Sequence, residues 1–79
     1  MYSDLITKAR NLHVTIYLRS SGLKVAGKII DFDEVFCEVM VKIHADGRFA
    51  ATREEFDSLK PEWREDRILV SIADISIIA

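Results

Sequence analysis

Seventy-nine residues make one small domain, too short for two independent cores. Lys plus Arg number 11 and Asp plus Glu 13, a net charge of −2, which excludes a nucleic-acid binder held by bulk positive charge. An apolar content of 49% excludes intrinsic disorder, and a single cysteine, Cys37, excludes an internal disulfide. No apolar run approaches the roughly 18 residues of a membrane-spanning helix, and Asp4 and Thr7 interrupt the stretch where a secretory leader would be unbroken. A cytoplasmic location is expected. In a domain this small, burial barely exceeds the cost of ordering the chain, so its many aliphatic residues point to further burial between subunits.

In chain order, Ser3-Asp4 opens a short helix over about 3–11, with Leu5, Ile6, Ala9 and Leu12 at helical spacing. Asp4 in its first turn and Lys8 and Arg10 near its last match the helix dipole. The period then changes to two. Leu12, Val14, Ile16 and Leu18 alternate with His13, Thr15, Tyr17 and Arg19, the pattern of a half-buried strand. Ser20-Ser21-Gly22 is a turn, and Leu23, Val25, Gly27 and Ile29 continue the alternation. Gly27 inside that strand predicts a bend or bulge. Asp33-Glu34 turns the chain again, Val35, Cys37, Val39, Val41 and Ile43 form a third apolar row, and Asp46-Gly47 signals a hairpin after which 48–51 pairs back briefly.

The stretch 44–67 reads as an insertion between the third and fourth strands. Thr52 and Glu55 stand at capping-box spacing, Phe56 and Leu59 give a short apolar stripe, and Pro61 ends the helix. Strands resume over Ile68 to Ile72 and Ile75 to Ile78. Five short, strongly bent strands with an N-terminal helix and a helical insertion predict a mainly β protein, a small SH3-like barrel in a single domain, 1–79.

Val14-Thr15-Ile16-Tyr17-Leu18, Gly22, Gly27, Ile29 and Phe32-Asp33 resemble the first motif of the Sm/LSm family in order and spacing, and 68–78 resembles its degenerate second motif. Gly22-Leu23-Lys24-Val25-Ala26-Gly27 is similar to the turn and bent strand of the bacterial RNA chaperones of the Hfq branch, with one extra residue in the turn. The likeness spans about two-thirds of the chain and omits the insertion. It implies a closed ring of about five to seven copies, joined through the fourth strand of one and the fifth of the next, with Ile68, Leu69, Val70, Ile75 and Ile77 at the interface. Aliphatics on both faces of those strands independently call for a partner on each edge. The alternative is burial of both faces within one subunit.

The resemblance also implies where RNA would bind. At the inner rim, the family's base-reading Asn is Cys37 here, and its cationic second-motif positions fall on Ser71, Ile72 and Ala73, with Asp74 and Glu34 nearby to repel phosphate. That site is expected to be absent or strongly altered. On the opposite face Tyr17, Gly22, Leu23 and Lys24 match residues that line a site for purine-rich strands, whereas Ala26 replaces the amide that reads adenine. Tyr17 offers a stacking plane and Lys24 a phosphate partner; the alternative is that Tyr17 covers the barrel and Lys24 is solvated. Lys8 and Arg10 would add outer-rim contacts. The expected function is weak RNA binding in post-transcriptional control, the alternative a ring that scaffolds other proteins without RNA.

No enzyme, cofactor or metal is expected. Asp31, Asp33 and Glu34 lack the Gly and terminal Glu of a calcium loop, His13 and His44 lack ligand spacing, and Cys37 has no basic neighbour. In the insertion, Phe49, Phe56, Leu59 and Trp63 either pack on the subunit itself or on a neighbour in the ring, or form a protein-binding knob around Trp63 with Arg48, Arg53, Arg64 and Arg67.

Overall fold

The computed structural model describes residue 8 and residues 12–79. The helix expected over 3–11 lies outside the described residues except for Lys8. Strands β1 (His13–Leu18), β2 (Lys24–Phe32), β3 (Phe36–His44), β4 (Trp63–Ser71) and β5 (Ile75–Ile78) form one antiparallel sheet. Lys8 is helical, α1 is the short α-helix Arg53–Phe56, and a 3-10 turn spans Ile72–Asp74. The strand order is β4-β3-β2-β1-β5. β1 to β3 form a meander, β4 joins β3 after the insertion, and β5 returns to pair with β1. The sheet is not closed: β4 and β5 stand at the two ends of the order, each with one neighbouring strand among the described residues.

The alternation read in β1 to β3 places one row of side chains inward. Ile16, Val25, Ile29, Cys37, Val39, Val41, Val70 and Ile75 form the main core, so the bent sheet brings all five strands around one cluster. Val35 is not part of that row. It sits in the β2–β3 turn, exposed, because Asp33 captures the turn: its Oδ1 accepts from the backbone N–H of Val35 and of Phe36, each at 2.7 Å. Nor does Gly27 mark a bulge. It pairs regularly with Val14 and Val41, and the register shift falls between Ile29 and Asp31. Glycine is required at 27 by close approach: a Cβ there would lie 2.6 Å from the Met40 carbonyl oxygen and 2.8 Å from Val39 Cγ1.

The insertion is shorter than the sequence suggested. β4 begins at Trp63, not at Ile68, and its first half is the charged run Arg64-Glu65-Asp66-Arg67. An edge strand held by its backbone ladder to β3 needs no apolar alternation, which is why the pattern failed there. Residues 45–62 then form the connection. Asp46-Gly47 turns the chain, with Gly47 at φ +95°, and Phe49 bridges back to Ile43. Ala50 enters between β2 and β3 where their ladder ends, donating its N–H to Lys42 O at 2.9 Å and accepting from Ala26 N at 2.8 Å. Thr52 caps α1, its Oγ1 accepting from Glu55 N at 3.2 Å, while Glu55 Oε1 accepts from Ala51 N at 3.0 Å. The expected capping box therefore forms, with the carboxylate reaching one residue further back. Phe56 packs with Ala26 and Ala50 in a second cluster on the outer sheet face, flanked by Met40 and Trp63. Leu59 joins neither cluster and is 95% exposed, since α1 ends before it.

Candidate functional site

Register assembles the corner read from the sequence. Tyr17 pairs with Lys24 across β1 and β2 and with Ile77 across β1 and β5, so Ile77, Tyr17 and Lys24 form one outward row on three adjacent strands. Side chains so paired stand about 5 Å apart. The turn that precedes Lys24 is closed by Gly22 N donating to Leu18 O and Leu18 N donating to Leu23 O. Its fold requires Gly22 at φ +69°. That geometry leaves Leu23 half exposed beside the row.

The insertion supplies the other wall of this corner. A groove of about 420 Å³ runs between Gly22-Leu23-Lys24-Val25 and Gly47, Arg48, Phe49 and Ala51. Arg48 and Phe49 were not read as part of this corner; the return of 48–51 along β3 after Asp46-Gly47 was the signal that brings them there. Arg48 is already engaged. Its Nη1 donates to Glu55 Oε2 at 2.7 Å, its Nε lies 3.4 Å from Asp46 Oδ2, and its guanidinium sits 4.9 Å from the Trp63 ring centroid. These contacts raise the Arg48 pKa, chiefly through the Glu55 bond. The Ala51 and Arg48 bonds lower that of Glu55. Lys24 is the cation of the groove not bound up in this network.

Ala26 does not line an open surface. It is 2% exposed beneath Ala50 and Phe56, so the insertion covers the position where the resemblance placed an adenine-reading amide. Of the expected outer-rim pair, Lys8 is exposed and Arg10 lies outside the described residues.

The β2–β3 turn and the β4–β5 connection, where the resemblance placed an inner rim, meet: Ile72 N donates to Val35 O at 2.9 Å. Asp74 is committed locally, accepting from Ser20 N at 2.8 Å and Ser20 Oγ at 2.9 Å. The Asp33 carboxyl is held below the usual range by the Phe36 and Val35 N–H groups. Cys37 is fully buried, and loss of solvation pushes its thiol up to about 11. Glu34 is exposed. The lip thus presents carboxylates and apolar side chains.

The insertion packs on its own subunit. Phe49 lies against the main core, Phe56 forms the second cluster, and Trp63 stacks edge-on with His44 at 4.8 Å. Of the arginines grouped with Trp63, Arg48 reaches its ring, whereas Arg53 pairs with Asp57 at 3.5 Å and Arg67 with Glu38 at 3.8 Å. His13 meets Phe56 edge-on and Asp57 at 4.0 Å, beside a cavity of about 200 Å³ that Arg53 also lines. Among the described residues, no three His, Cys, Asp or Glu side chains converge on a position that could hold a metal ion. No helix among them is long and apolar enough to cross a membrane.

Comparison with known protein families, curated proteins and solved structures returned no match. The site therefore stands on its own geometry: an aromatic, an aliphatic and a lysine on a bent antiparallel sheet whose two end strands each have one neighbour among the described residues.

Proposed function

We propose that this chain is the subunit of an Sm-like ring, a bent open barrel of five strands, that binds single-stranded RNA weakly through Tyr17, Leu23 and Lys24. The observation that carries this reading is the pair of open edges. β4 and β5 lie at opposite ends of one sheet, and each exposes an aliphatic side chain, Leu69 at 69% and Ile77 at 55%. An edge of this kind attracts another strand, and head-to-tail pairing of β4 with a neighbour's β5 leaves none open once the ring closes. Ile68, Val70 and Ile75 would flank that seam. The Ile77–Tyr17–Lys24 row, repeated around the ring, gives a base a stacking plane and a phosphate a cation, and multiplies a weak site. The exposed Arg64 and the Trp63 neighbourhood remain available to a protein partner.

Native mass spectrometry tests the assembly: about five to seven subunits are expected, and a monomer at micromolar concentration refutes it. Titration with an oligoadenylate tests the ligand. Tyr17→Ala with Lys24→Ala is expected to weaken binding at least about tenfold, the loss of one stacked base and one phosphate contact. No binding at low salt, or no change in the double variant, refutes the RNA site. The acidic lip around Asp33 and Glu34 favours a second reading, a ring that holds proteins and no RNA. That reading predicts a closed ring with no affinity for the oligonucleotide.

A further inference from the structure

Thr15 and His13 lie two and four residues before Tyr17 on β1, so the strand period places all three on the outward face. Thr15 stands about 7 Å along the strand from Tyr17. Here α1 packs over the sheet and leaves a cavity of about 200 Å³, lined by His13, Thr15, Ala26, Gly27, Arg53 and Phe56. Its floor is the ladder in which Thr15 pairs with Ala26 and Val14 with Gly27. Phe56 is 6% exposed and supplies an aromatic wall, with His13 edge-on to it at 5.0 Å. Asp57 holds the other two rim groups in place: its Oδ2 lies 3.5 Å from Arg53 Nε and its Oδ1 4.0 Å from His13 Nδ1. Both backbone groups of Thr15 are bonded to Ala79. Among the described residues its hydroxyl has no hydrogen-bond partner.

We propose that this pocket is a nucleobase site, a second base position beside Tyr17 that the insertion builds. The inference rests on the RNA reading for the source of the base. In it, the base ring lies against Phe56, and Thr15 and His13 hydrogen-bond its edge. Size limits the occupant. The cavity is smaller than the roughly 300–1,000 Å³ of pockets for drug-sized ligands, which leaves room for a single ring system. Chemistry narrows it further. A purely apolar occupant would leave a hydroxyl and an imidazole without bonds, and a compact anion would meet the Asp57 carboxylate at the rim. No metal-binding set converges among the described residues. A nucleobase has flat faces for an aromatic wall and a polar edge, and a hydroxyl and an imidazole each donate and accept. The short step from Tyr17 to Thr15 lets successive nucleotides of one extended strand reach the stacking plane and the pocket in turn.

The test is an NMR titration of the ¹⁵N-labelled full chain with adenosine, which carries no phosphate and so does not depend on Lys24. Saturable shifts are expected at the amides of Thr15, Ala26, Gly27 and Phe56. Thr15→Val keeps the branched shape of the side chain and removes the hydroxyl. It is expected to weaken adenosine, and oligoadenylate with it, about fivefold, the loss of one hydrogen bond. A dispersed spectrum shows that the variant is folded. No shift at the pocket amides up to about 10 mM adenosine overturns the proposal, as does unchanged adenosine affinity in folded Thr15→Val. The two readings fail separately. Shifts confined to Tyr17, Leu23 and Lys24 overturn the pocket and leave the Tyr17–Lys24 site. Shifts at the pocket, with an oligoadenylate affinity that Tyr17→Ala with Lys24→Ala does not change, uphold the pocket and refute that site.

Discussion

Alanine at position 27 gives the sharpest test of the packing described here. Gly27 has no left-handed backbone requirement, unlike Gly22 and Gly47. On backbone entropy alone, Gly27→Ala should stabilise the domain by about 0.4–1 kcal/mol. The surroundings reverse that sign. The added methyl would lie 2.6 Å from the Met40 carbonyl oxygen, 2.8 Å from Val39 Cγ1 and 3.4 Å from Val41 Cγ1. Val39 and Val41 are fully buried and cannot rotate away freely, and the Met40 oxygen belongs to the backbone of β3, an interior strand held between β4 and β2. Relief therefore requires β2 and β3 to separate where β3 is also bound to β4. Overpacking of this kind costs about 1–3 kcal/mol, and a backbone collision belongs at the upper end. A loss of about 2–3 kcal/mol lowers the midpoint of thermal unfolding by roughly 10–20 °C in a domain of this size. Urea and heat denaturation of the two proteins measure it. A variant as stable as the parent, or more stable, would refute the account of β2–β3 contact. Gly47→Ala is the control, with no heavy atom within 4 Å of its added carbon. It should cost about 1 kcal/mol through its positive φ alone.

Phe56→Ala empties the second cluster and should cost about 3 kcal/mol by urea denaturation; a change below about 1 kcal/mol would mean that α1 does not seal Ala26. Glu55 has a lowered native pKa, so its stabilising contribution is present above its ordinary value of 4.5 and is lost as pH falls through the native value. The midpoint difference between the parent and Glu55→Gln should accordingly shrink between about pH 6 and about pH 3, and a difference that stays constant would refute the capping role. The Cys37 thiol, fully buried and raised to about 11, should react with a thiol reagent near neutral pH only as fast as the chain unfolds. Immediate labelling of the native protein would refute its burial.

The three meander strands were legible because one face of each is buried, and burial imposes a period of two on Val14-Ile16-Leu18, Val25-Gly27-Ile29 and Cys37-Val39-Val41. The first half of β4 was not, because Arg64 to Arg67 have one open edge and little burial to leave a pattern. The cap of α1 was readable from Thr52 and Glu55 because it depends on residues three apart. The exposure of Leu59 was not, since a four-residue helix ends before a stripe can form. At the candidate site, Tyr17 and Lys24 could be brought together by counting across the Ser20-Ser21-Gly22 turn. The Asp46-Gly47 turn marks the return of Arg48 and Phe49 along β3, but their arrival at the same groove also needs Ala50 to wedge against Ala26 of β2, a long-range event with no local signature. The same wedge explains why Ala26, outward by alternation, is buried.

β5 is the last strand of the sheet, yet its partner is the first. Residues 75–78 and the reciprocal bonds between Ala79 and Thr15, at 2.9 and 3.0 Å, tie the last strand of the sheet to the first. On a ribosome, β1 to β4 can meander together while the far side of β1 still lacks a neighbour. Ile75 is fully buried in the finished core, so that core also stays incomplete until the same moment. Pairing across so much sequence is slow relative to local hairpins, and a nascent sheet with a bare edge is exposed to its neighbours on a polysome. Docking of β5 onto β1, whenever it follows, is therefore the step at which this sheet passes from a sticky intermediate to a finished fold.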